Sequence, residues 1–209
     1  MWLVEKAMTK VLGLSTSALL GLVVGLPHAM ANDVPCPPSP GIGATVPDNI
    51  VVGPGAECDL NGVKVKGNVK VLKDGRLLVR NGSVIHGNVQ SDEAKSIRIE
   101  SSSIVKGDVE IKKTSSVPPS PLTANRICNS MITGNLKLEE NATPFDVGTD
   151  PPCTGGGVSV SGNVQAFKNA DVDISNNKIG GNLQCKDNAF ITGGSNTVGG
   201  NKENQCKLF

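Results

Sequence analysis

The sequence predicts an all-β chain, a single-stranded parallel β-helix (a solenoid) of about seven coils. Three observations carry that reading. First, glycines recur at one phase, Gly67, Gly87, Gly107, Gly134, Gly162, Gly181 and Gly200, spaced 20, 20, 27, 28, 19 and 19 residues apart. A repeat in this range marks a solenoid. Second, the residue two before each glycine is β-branched: Val65, Ile85, Val105, Ile132, Val160, Ile179 and Val198. Two after it stand Val69, Val89, Val109, Leu136, Val164 and Leu183, broken only by Lys202 in the last unit. Third, polar residues such as Lys64, Lys66, Lys70, Glu110 and Lys137 alternate with these. Apolar in and polar out at period two is a half-buried strand.

Taken from the start, residues 1–31 read as a secretory signal peptide. Lys6 and Lys10 precede an apolar run from Val11 to Leu26, and Ala29-Met30-Ala31 offers a small-x-small cleavage site before Asn32. The run is shorter than the ~20 residues a membrane-spanning helix needs. The mature chain is therefore expected to be secreted, periplasmic or extracellular, without a membrane span. Residues 32–49 are rich in Pro and Gly and read as a linker or irregular cap. The β-helix is expected over 50–209.

Each unit is read as a strand, a bend at Gly-Asn and a second strand, since Gly and Asn tolerate left-handed backbone. Val71, Ile111, Leu138 and Ala166 extend the inward face of the second strand. Coils stacked at ~4.8 Å would bury these faces together and give a rod roughly 30 Å long. Two coils are longer, with insertions expected at 114–124 and 141–152, leaving the coil at the same phase and bulging from one corner. Insertions of this kind are where solenoids often carry function.

The residues following the glycines, Asn68, Asn88, Asp108, Asn135, Asn163, Asn182 and Asn201, form the most regular polar column. They are expected to make an internal structural ladder, as stacked amides do in cross-β assemblies. The six cysteines suit an oxidising compartment. Their separations of about one coil predict the bridges Cys36–Cys58, Cys128–Cys153 and Cys185–Cys206.

Composition excludes several function classes. Loss of residues 1–31, with Lys6, Lys10 and Glu5, turns the net charge of +1 into a neutral mature chain. That gives no electrostatic reason to expect nucleic acid. Trp2 falls in the signal peptide, Tyr is absent and Phe numbers four, so platforms for stacking bases or sugars are scarce. His86 is the one histidine beyond residue 31 and reads as a surface residue. It cannot build a His-based zinc site, and no catalytic residue, cofactor or metal is assigned. Glu139, Glu140, Asp146 and Asp150 crowd the second insertion and are the candidate ligand-binding loop. The plainer reading of these four is a solvated acidic loop.

The Val/Ile-x-Gly-Asn-Val columns resemble the repeats of right-handed β-helix proteins. In particular they look like those of bactofilins, bacterial polymer-forming scaffolds, over roughly Ile50 to Gln184. The resemblance implies a right-handed coil and, in function, a scaffold. A signal peptide, disulfide-type cysteines and longer coils depart from that family's pattern. The expected function is an exported, non-enzymatic structural, surface-associated or binding protein, whose partner is itself or a cell-surface polysaccharide. The alternative is a carbohydrate-active enzyme, a lyase or hydrolase of the kind the architecture also hosts.

Overall fold

The computed structural model describes residues 32–115, 125–148 and 156–209. The expected signal peptide, residues 1–31, lies outside the described residues. Among those described, every strand pairs in parallel with the strand of a neighbouring coil, on both sides except at the ends, and the strands form three sheets of nine, eight and seven strands. One coil shows the plan. Lys64–Val65 belongs to the eight-strand sheet, Val69–Val71 to the nine-strand sheet and Arg76–Arg80 to the seven-strand sheet. The next coil repeats it with Val84–Ile85, Val89–Asp92 and Ser96–Ile99. The fold is thus the expected parallel solenoid, with about eight turns rather than seven.

The expected unit of two strands and one bend is corrected to three strands and three corners. Leu60, Val79, Ile99, Ile127, Val147 and Ile174, on the seven-strand sheet, bring a third wall to the core. Together the three inward columns fill one continuous cluster in which most side chains are fully buried. Each such Val, Leu or Ile is worth ~1.5–3 kcal/mol relative to exposure.

The segment 32–49 is part of the solenoid, not a linker. Asp33–Cys36 is the edge strand of the nine-strand sheet, paired with Asn49–Val52, and Thr45–Val46 opens the eight-strand sheet. Proline is tolerated there because an edge strand has no neighbour on one side to receive its missing N–H. Cys36 joins Cys58 one coil on, with Cα atoms 5.6 Å apart. At the other end Cys185 joins Cys206, at 5.4 Å. Cys128 is also disulfide-bonded; Cys153, its expected partner, lies outside the described residues.

The last coil is closed by its own tail. Lys202 stands where other coils place an apolar residue, and its amine donates to the Phe209 carbonyl. Phe209 packs against the core cluster beside Gly193. Gln205 donates its backbone N–H to Cys185 and its side-chain amide to the Asn188 carbonyl.

The second insertion is also corrected. Asn141 is a buried corner residue and Phe145–Gly148 is a regular strand of the seven-strand sheet, paired with Asn125–Ile127 and Asp171–Ser175. The residues outside the description, 116–124 and 149–155, fall between different pairs of sheets. The first lies between Val109–Lys112 and Asn125–Ile127, the second between Phe145–Gly148 and Val158–Val160. The two long segments therefore leave at different phases of the coil, not side by side.

Each corner has its own chemistry. At the Gly-Asn corner no glycine of the column takes a positive φ. Glycine is required there because a Cβ on Gly87, Gly107 or Gly134 would stand within 3.0 Å of the preceding coil's side-chain oxygen and backbone. Left-handed backbone sits instead at the other two corners: after the nine-strand sheet at Asp74, Glu93, Lys113, Glu140, Lys168 and Asp187, with φ between 49° and 59°, and after the seven-strand sheet at Asn81, Ser101, Asn129, Asn176 and Ser195.

Candidate functional site

The Asn column is a ladder, but an outer one. The Oδ1 of Asn68 accepts the backbone N–H of Asn88 (2.8 Å), Asn88 that of Asp108 (2.8 Å), and Asp108 that of Asn135 (2.7 Å). Asn135, Asn163 and Asn182 pass the same bond on to Asn163, Asn182 and Asn201. Most of these residues remain half-buried or exposed. Internal ladders exist at the other two corners. Asn141, Asn169 and Asn188 stack after the nine-strand sheet, closed by Gln205, and Asn177 and Asn196 stack after the seven-strand sheet. Their spacings of 28, 19 and 19 residues were present in the sequence, masked by the longer glycine column.

The expected acidic loop is not brought together. Glu139 ends a strand of the nine-strand sheet, Glu140 occupies the corner beyond it, and Asp146 lies on the seven-strand sheet. Asp150 lies outside the described residues. Glu139 is held by Lys137 at 2.8 Å and Lys112 at 3.8 Å, and Glu140 by Lys168 at 3.5 Å. The Lys137 hydrogen bond holds the Glu139 carboxyl below its ordinary range against some desolvation. Among the described residues no cluster of three or more His, Cys, Asp and Glu side chains is placed to hold a metal.

The three outer faces differ in how they dispose of charge. On the nine-strand sheet, Lys70, Gln90, Glu110, Lys137, Gln165, Gln184 and Glu203 align coil over coil. Glu110 meets Lys112 at 2.7 Å and Lys137 at 3.7 Å, while Gln165 donates to Gln184 and Gln184 to Glu203. Two shallow hollows of about 490 and 280 Å³ lie on this face, each lined by both signs of charge. The arginines of the seven-strand face are paired as well. Arg80 makes two bonds to Asp59, at 3.0 and 2.8 Å, and Glu100 accepts from Arg98 at 3.0 Å and Arg126 at 2.7 Å.

The eight-strand face is different. Its outward rows read Thr45, Lys64, Val84, Ile104, Met131, Ser159, Lys178, Thr197 and, beside them, Lys66, His86, Lys106, Thr133, Ser161. Neither row contains an Asp or Glu. Lys64, Lys66, Lys106 and Lys178 are exposed, and among the described residues none is ion-paired. His86 sits between Lys66 and Lys106, one coil from each. Partial burial first, and then Lys106, Lys64 and Lys66, hold its ring below the usual histidine range. A hollow of about 270 Å³ adjoins the rows, lined by Ser102, Asn129, Ser130 and Ser159 with Ile104 and Met131.

No protein-family model matches the chain, and neither the curated proteins nor the solved structures hold a match to it. The likeness to bactofilins is therefore carried by the repeat columns alone.

Proposed function

We propose that this chain is an exported, non-catalytic β-solenoid that works as a capped rod, a structural or binding module outside the cytoplasm. The observation that carries the reading is the closure of the rod. A disulfide ties the first coil to the second, another ties the last strand's neighbour to the tail, and Phe209 covers the final core layer. Such bridges persist in oxidising compartments, and a covered terminal coil does not offer its apolar edge for end-to-end stacking. Among the described residues no helix is long and apolar enough to cross a membrane.

The catalytic alternative gains no support from the acids expected to serve it. A glycosidase or lyase needs carboxylates converging on one bond, and Glu139 and Asp146 stand on different sheets. The test is to express the whole chain with its leader and measure the exported product's mass and its size by light scattering. We expect a start at Asn32, three disulfides and a monomer at all concentrations. Filaments of the oxidised protein, or a product retaining residues 1–31 inside the cell, would overturn the reading.

A further inference from the structure

Among the described residues, the outward rows of the eight-strand face hold cations and no acid. Lys64 and Lys66 stand on one coil, His86 on the next and Lys106 on the one after, so the positive charge runs along the rod over three successive coils. Net neutrality of the mature chain hides this, because the balancing carboxylates are distributed over the other two faces and the corners. Like charges held this close raise the potential of the surface between them. His86, with Lys64, Lys66 and Lys106 as its charged neighbours and no carboxylate facing it, feels that potential directly.

We propose that this face binds a linear acidic polysaccharide, one bearing a carboxylate at regular intervals, laid along the rod axis across Lys64, Lys66, His86 and Lys106. A sugar ring advances its chain by about as much as one coil rises, so the carboxylates on one edge of the chain recur at whole numbers of coils. The hollow beside the rows supplies what a glycan needs besides charge. Hydroxyls of Ser102 and Ser159 and the Asn129 amide can exchange hydrogen bonds with ring hydroxyls. Ile104 and Met131, the latter 43% exposed, give the apolar C–H face of a ring a surface to cover. A nucleic acid is disfavoured because the face offers no aromatic ring on which a base would stack. This inference deepens the reading of an exported binding module, which supplies the compartment where such a glycan is met.

The test is calorimetric titration of the oxidised protein with polygalacturonate, using its fully methyl-esterified form as the neutral control. We expect binding to the acid polymer alone, weakening as salt rises. In Lys64→Gln/Lys66→Gln/Lys106→Gln, whose exposed side chains carry no packing role, affinity should fall at least about tenfold, three exposed ion pairs being lost. The apolar and hydroxyl component is tested separately by Met131→Lys, which should also weaken binding despite adding positive charge. Binding should tighten as pH falls below about 6.5, where His86 with its lowered pKa gains a proton, and His86→Gln should abolish that rise. Equal binding of both polymers, no loss in the triple variant, or equally tight binding to anionic phosphatidylglycerol vesicles or to duplex DNA would overturn the proposal. The outcome is independent of the leader: a protein that fails to be exported yet binds polyuronate refutes the compartment and leaves the site standing.

Discussion

Asn169→Ala isolates the worth of the buried ladder. The Asn169 side chain is 1% exposed and makes four hydrogen bonds. Its Oδ1 accepts from the Asn141 backbone N–H (3.1 Å) and the Asn141 amide (2.8 Å). Its Nδ2 donates to the Leu138 carbonyl (3.1 Å) and to Asn188 Oδ1 (2.9 Å). Alanine leaves a buried backbone donor, a buried carbonyl and two buried amide atoms short of a partner. At about 1 kcal/mol per net bond the loss is ~4 kcal/mol, and orphaned groups push it upward. The control is Asn135→Ala on the outer ladder. Asn135 makes three comparable bonds, at 2.9, 3.2 and 3.0 Å, but is exposed, so water replaces them and the loss should be ~1 kcal/mol. Urea unfolding with the disulfides intact measures both, as a shift in midpoint at unchanged slope. Equal losses in the two variants would refute the argument that burial, and not the number of bonds, sets the value of a rung.

Four further outcomes follow from the same geometry. Asn169→Asp can still accept but cannot donate, so burial and its acceptor neighbours raise the new carboxyl's pKa above the unfolded value of about 3.9. It should be least damaging at low pH and lose stability as pH rises through the raised folded value, read as the midpoint against pH. For Glu139 the sign is opposite: its folded value is depressed, so its contribution is present above about 4.5 and lost as pH falls through the folded value. Glu139→Gln should therefore flatten the acid limb of the same curve. Gly134→Ala should destabilise by ~1–3 kcal/mol through collision with the coil before it, whereas Gly41→Ala, which meets nothing within 4 Å, should be near neutral. Reducing the Cys36–Cys58 and Cys185–Cys206 bridges, which close loops of 22 and 21 residues, should cost ~3 kcal/mol each, visible as a lowered melting temperature in reductant.

The columns flanking the glycines were legible because stacking forces the same residue type into the same place in every coil. The third strand was not, because its column spans the corners where coils differ in length. Val79 follows Val71 by eight residues, whereas Ile127, in the same column, follows Ile111 by sixteen. Phe145–Gly148 was hidden for another reason. Pro144 before it and Asp146 within it look like loop chemistry, and the inward alternation of Phe145 and Val147 shows only against Val172 and Ile174 of the next coil. The acidic loop failed with it, since Glu139 and Asp146, near in sequence, were dealt to different faces across a corner at Glu140. The eight-strand face was in principle readable: Lys64, Lys66, His86 and Lys106 share two phases of the repeat. What the linear sequence hides is that the acids between them belong elsewhere.

The corner ladders have a direction. Every coil presents side-chain oxygens toward one end of the rod and backbone N–H groups toward the other, as a column of nested cups presents rims and bases. A coil copied whole and set between two others would find the donors and acceptors it expects on both sides. The molecule's length is thus quantised: it can grow or shrink by one storey of ~4.8 Å, and tandem duplication of a segment such as 69–88 is the natural step by which it would do so. Fractional changes are barred at the strands and admitted only at the corners, where the coils of 27 and 28 residues already take theirs.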